Sequence, residues 1–176
     1  MASRYWGGER LIYLITGLMA SGKSTVAELL STHFDLSVHL HGDIFRKMIT
    51  SGRVDMSAHP SEEALTQLTL RYRLTAITAK EYNGYGFTTI VQDNYYGDML
   101  TVMLRLLEPA EVRPFVLCPR LDVLRTRLDE RVKGGYESFD MEALYHEFTK
   151  ATPRIGVWID NSDETPEQTV FRILSA

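Results

Sequence analysis

A chain of 176 residues with 44% hydrophobic and 24% charged side chains can build one sizeable core, and its length excludes two domains of ordinary size. Its net charge of −4 argues against a broad polyanion-binding face, although a local basic funnel stays open and nucleic acid remains a less favoured partner. The lone cysteine, Cys118, excludes an intramolecular disulfide and a thiolate metal cluster, and the apolar stretch Leu11 to Ala20 is too short to span a bilayer. The expectation is a single domain over 1–176, cytoplasmic, with no membrane partner.

In chain order, Leu11 to Ile15 is a short apolar run, followed by a glycine-rich turn. "STVAELLSTHF" then carries Val26, Leu29, Leu30 and Phe34 at helical spacing. "SVHLHGD" alternates Val38 and Leu40 with His39 and His41, which predicts a second strand closing at Asp43, with a helix from Ile44 to about Ser51. The two histidines read as strand side chains facing a helix layer, because no third ligand stands at a recognisable metal-binding spacing. Ser61 to Tyr82 opens with a serine and early acids and predicts the longest helix. "GFTTIVQD" and "VRPFVLCP" are β-rich runs followed by helical segments, with Cys118 expected as a small buried filler. "GVWID" predicts a fifth strand, and Thr165, Pro166 and Gln168 form the N-cap, N1 and N3 of a capping box. Strands alternating with helices imply an α/β doubly wound sheet.

Between the first strand and its helix, Gly17, Gly22, Lys23 and Ser24 satisfy G-x-x-x-x-G-K-[ST]. The glycines let the backbone curl so that successive N–H groups face phosphates at the positive end of a helix. The loop from Gly17 through Ala20, Ser21, Gly22, Lys23, Ser24 and Thr25 is therefore expected to hold ATP or GTP, with Lys23 on the outer phosphates and Ser24 on Mg²⁺.

The carboxyl ends of the strands are where an open α/β sheet gathers ligands, which directs attention to Asp43 and Asp93. Asp43 is read as accepting the proton of an attacking hydroxyl, a role that can coexist with capping a helix N-terminus. Arg46, one turn along, is placed to orient the acceptor or offset charge on the transferring group. Asp93 closes an apolar strand where an acid can position Mg²⁺ or acceptor. Asn94, Tyr95 and Tyr96 are candidates to line an acceptor pocket, the rings either stacking on an aromatic or sugar group or filling a turn against the core. Charged residues from Arg120 onward lead to Gly134 and Gly135, which reads as a lid over roughly 120–140. Arg127 and Arg131 share a face of its helix, one to stack on adenine and the other to reach the phosphates.

In this order and spacing, "GLMASGKST", "VHLHGDIFRKMI", "GFTTIVQDN", "LCPRLDVLRTRLDER" and "IDNSDETPEQTVFRIL" resemble the small P-loop kinases and phosphotransferases that include chloramphenicol phosphotransferase, gluconate kinase and shikimate kinase. The resemblance implies five parallel strands in order 2-3-1-4-5, ATP with Mg²⁺, a lid after the fourth strand and an adenine-contacting loop over Asn161 to Thr165. It also implies that Asp43 positions or deprotonates the acceptor. Asp43 and Arg46 look like the D-x-x-R pair of polynucleotide 5′-hydroxyl kinases too, so the motif indicates the class and leaves the acceptor open. The expected activity is transfer of the γ-phosphate of ATP to a small-molecule hydroxyl, with a polynucleotide kinase or a slowly hydrolysing nucleotide switch as alternatives.

Overall fold

The computed structural model describes residues 10–57, 59–131 and 140–176. Its strands are β1 (Leu11–Gly17), β2 (Ser37–His41), β3 (Thr88–Gln92), β4 (Glu111–Leu117) and β5 (Val157–Ile159). They form one parallel sheet in the order β2-β3-β1-β4-β5, the order expected. The helices are α1 (Lys23–Ser31), α2 (Asp43–Lys47), α3 (Glu62–Gly84), α4 (Asp98–Leu107), α5 (Leu121–Arg131), α6 (Met141–Ala151) and α7 (Pro166–Leu174).

The alternation of β1 explains the layering. Ile12 and Leu14 point to a core shared with Tyr72, Ala76 and Ala79 of α3, Leu100 and Met103 of α4, and Phe148 of α6. Leu11, Tyr13 and Ile15 point the other way, to Val26 and Leu30 of α1 and Val170 and Ile173 of α7. With helices on both faces, the central strand reads as an unbroken apolar run.

Local chemistry sets the helix ends. The Ser61 hydroxyl accepts the Ala64 N–H at the start of α3. Thr165 and Gln168 form the predicted reciprocal capping box of α7. α2 is shorter than its sequence suggests, ending at Lys47 instead of near Ser51. One further turn is closed by Met48 and Ile49, after which β-branched Thr50 and Gly52, at φ +76°, turn the chain away from helix. No helix among the described residues is long and apolar enough to cross a membrane.

Candidate active site

β1 delivers the chain into the glycine loop with little room to spare. Gly17 has φ +145°, and a Cβ there would stand 2.3 Å from the Leu117 carbonyl oxygen, so only glycine fits beside β4. Gly22, at φ +95°, is the N-cap of α1 and leaves the helix start without a side-chain cap. Those N–H groups are the ones a phosphate would satisfy. Ala20 is also left-handed, at φ +62°. Lys23 folds back so that its Nζ donates to the Leu18 carbonyl at 2.7 Å. From the end of β5, Asn161 Nδ2 donates to the Ser21 carbonyl at 3.0 Å, pinning the loop from outside. Ser21 is fully buried, its N–H donating to the Leu18 carbonyl and its own carbonyl accepting from Asn161.

Beyond the loop opens a cleft of about 360 Å³ that Ala20, Lys23, Ser24, Asp43, Arg46, Asp93 and Asn94 border together. Lys23 and Ser24 of the phosphate loop, Asp93, and the acceptor candidates Asp43, Arg46 and Asn94 thus meet at one place. Asp43 makes no helix-capping hydrogen bond, since Gly42 occupies the N-cap. Instead Arg46 clamps its carboxylate, with Nε donating to Oδ1 at 2.6 Å and Nη2 to Oδ2 at 3.2 Å. Arg46 also pairs with Asp55, and Lys47 Nζ lies 3.3 Å from Asp43 Oδ2. Partial burial raises the Asp43 carboxyl, but Arg46 and Lys47 together reverse that and hold it below the usual carboxylate range.

Asp93 sits deeper. Its Oδ1 accepts the Asn94 N–H at 2.8 Å and Arg71 Nη2 at 3.1 Å, while its buried Oδ2 lacks a hydrogen-bond partner. A Cβ on Gly42 would fall 2.2 Å from that oxygen, so glycine is what lets β2 end against the acid. Burial raises the Asp93 carboxyl above its ordinary value despite the guanidinium of Arg71. His41 lines the cleft and is exposed, contrary to a place under a helix layer, and its Nδ1 accepts the Asp43 N–H at 3.2 Å. Partial desolvation of the ring is the main cause lowering its pKa, which favours the neutral form. Cys118 is half-buried.

One structural residue, Arg71, escaped the sequence reading, and Asn161 has a contact that the reading did not give it. Arg71 on α3 reaches both acids, with Nη1 3.5 Å from Asp43 Oδ1. The available signal was its position among Ala64, Leu68, Tyr72, Thr75 and Ala79, where a cation on the core-facing side of a helix requires a partner. Asn161 was expected only as the start of the adenine-contacting loop; its bond to Ser21 had no signal, because that contact depends on how β5 ends beside the phosphate loop. Tyr95 corrects an expectation: it is fully buried, packs edge-on against Tyr72 with ring centroids 4.9 Å apart, and does not border the cleft. Its backbone explains why. Tyr95 N–H donates to Thr16 Oγ1, and that hydroxyl donates to the Tyr95 carbonyl, both at 2.8 Å, turning the residue inward.

A second cavity, of about 290 Å³, flanks the loop's other side between Thr25, Val26, Arg127, Asn161, Glu164 and Pro166. It adjoins the segment expected to contact adenine, and Arg127 Nη2 donates there to the Asn161 carbonyl at 3.0 Å. The side chain of Arg131 and the hinge at Gly134 and Gly135 lie outside the described residues.

A parallel 2-3-1-4-5 sheet with a glycine loop running from its central strand into a helix defines the fold of the P-loop kinases. Solved structures agree. The chain is similar to a sugar kinase from a Janibacter species (17% identity, TM-score 0.66, covering 93% of this chain and 92% of that one). It is similar to the tunicamycin resistance protein of Deinococcus radiodurans (17%, 0.67, 93% of each). It is also similar to a gluconokinase from Sinorhizobium meliloti (15%, 0.60, 98% of this chain and 91% of that one). At these identities the likeness shows the fold. No protein-family model matches the chain, and no curated protein sequence does.

Proposed function

We propose that the protein transfers the γ-phosphoryl group of ATP to a hydroxyl of a small molecule, an antibiotic or sugar-like compound, with Asp43 as the proton acceptor. The observation that carries this reading is that Asp43, clamped by Arg46, borders the same cleft as Lys23 and Ser24 of the phosphate loop. Two carboxylates and four cations, Lys23, Arg46, Lys47 and Arg71, around that cleft suit a polar, hydroxylated acceptor better than a flat apolar one.

Asp43 orients the acceptor hydroxyl and takes its proton as the oxygen bonds to the γ-phosphorus, while the bond to the bridging oxygen breaks and leaves ADP. A carboxylate held below the usual range is a weak base, so the proton moves late, when the hydroxyl has become acidic through its bond to phosphorus. The loop N–H groups and Lys23 hold the outer phosphates, and Arg46 offsets charge on the transferring group. Ser24 and Asp93 suit Mg²⁺, since both border the cleft and Asp93 keeps one buried oxygen without a hydrogen-bond partner. Bound there, Mg²⁺ would supply charge neutralisation at the phosphoryl oxygens. Thr25 and Arg127 line the cavity we assign to the nucleoside, and Arg131, from the lid, is proposed to close on the phosphates.

The cations beside Asp43 are matched by acids: Arg46 by Asp43 and Asp55, Arg71 by Asp43 and Asp93. That pairing disfavours a track for a polynucleotide and supports a small acceptor. The test is ADP formation with Mg²⁺-ATP across hydroxylated antibiotics, sugars, nucleosides and a 5′-hydroxyl oligonucleotide. Acceptor-dependent ADP with a phosphorylated small molecule supports the reading. Turnover only with the oligonucleotide, or slow hydrolysis indifferent to every acceptor, replaces it with the polynucleotide-kinase or switch reading.

A further inference from the structure

The face of α3 turned away from the cleft is apolar, exposed and arranged with a symmetry that the phosphoryl-transfer reading does not use. Leu70 is 49% and Ile77 53% exposed, and Tyr85 at the helix end is 75% exposed. Ile77, Tyr82, Tyr85 and Phe87 border a shallow groove of about 420 Å³. Arg73 and Glu81 stand exposed on either side of Ile77, and neither forms an ion pair among the described residues.

Arg73, Ile77 and Glu81 are spaced four apart and so lie on one ridge of the helix, running basic, apolar, acidic. We propose that this face is a two-fold interface between two copies of the chain, with the α3 helices antiparallel and crossing at Ile77. A two-fold axis at Ile77 sets Arg73 of each copy against Glu81 of the other, giving two equivalent ion pairs around an apolar centre. The crossing that aligns four-apart ridges, roughly −50°, is the commonest in helix packing. The neighbouring ridge agrees with it. Leu74 falls beside its own copy, and Leu70 falls over the groove between Ile77 and the Tyr82–Tyr85 edge of the facing molecule. A row that complements its own reversal identifies a second copy of this chain as the occupant, since an unrelated partner would impose no such symmetry.

The experiment is sedimentation equilibrium on the full chain, with far-UV circular dichroism and thermal melts confirming that each variant folds. Arg73, Ile77 and Glu81 are exposed, so their substitution leaves the core intact. The wild-type chain is expected to dimerise. Arg73→Glu and Glu81→Arg should each raise the dimer dissociation constant about tenfold or more, because each creates two like-charge contacts. The double variant R73E/E81R should return the constant to near the wild-type value, and Ile77→Lys should give monomer. A wild-type chain monomeric at about 100 µM overturns the proposal and leaves the face to another partner. So does a dimer indifferent to the single reversals, or one that the double variant fails to restore.

Discussion

Arg71 donates to Asp93 across 3.1 Å, with only 12% of the arginine side chain and 6% of the acid exposed. A residue from the middle of the longest helix thereby holds the acid that follows β3, and through Asp43 Oδ1 it touches the start of α2 as well. Substituting Arg71→Met should leave Asp93 buried without its cation and cost about 3 kcal/mol at pH 8, measured by urea unfolding. The loss should shrink at pH 5. Without Arg71 the carboxyl, already raised by burial, rises further and takes up a proton, which removes the uncompensated charge.

The two acids should bias stability in opposite directions with pH. Asp43 has a lowered folded pKa, so its contribution is present above the ordinary carboxylate value and is lost as pH falls through the folded one. The stability gap between wild type and Asp43→Asn should therefore widen as pH rises through that low window and then level off. Asp93 is raised, so the wild type should lose ground to Asp93→Asn as pH rises from the ordinary carboxyl value through the elevated one. Urea titrations at a series of pH values measure both slopes.

Gly42→Ala tests the close approach of β2 to Asp93. Gly42 has φ −57°, which alanine adopts without strain, so any effect comes from the methyl group 2.2 Å from Asp93 Oδ2. The carboxylate must move, and unfolding measurements should show a loss of about 1–3 kcal/mol. Mg²⁺-dependent ATP affinity should fall with it.

Much of this site could be read from the residues because its chemistry is local. The loop conformation follows from Gly17 and Gly22, and Arg46 meets Asp43 because three residues make a helical turn. The two-sided core followed from an apolar β1 flanked by helical segments, whereas the strand order was implied by the resemblance to the small P-loop kinases. What stayed hidden depends on contacts distant in sequence. Asn161 reaches Ser21 across 140 positions, and Tyr95 is turned into the core by Thr16, 79 positions away. A polar, aromatic stretch such as 92–98 does not reveal which ring faces water until its backbone partners are known.

Asn161→Ala should separate loop support from acceptor chemistry. It removes the donor to the Ser21 carbonyl and should cost about 1–2 kcal/mol in stability. In titration calorimetry ATP affinity should weaken, while the acceptor KM in turnover assays should stay near the wild-type value, since Asn161 does not border the Asp43 cleft.

The central claim is that Asp43 takes the proton from the acceptor. The most direct measurement is acceptor-dependent ADP formation by wild type and Asp43→Asn at saturating ATP, with ATP affinity measured in parallel. Asparagine keeps the shape of the side chain and removes its basicity, so kcat should fall about 10²–10⁴-fold while the ATP dissociation constant stays within about twofold. Unchanged kcat, or a loss of ATP affinity that matches the loss of turnover, would contradict the account.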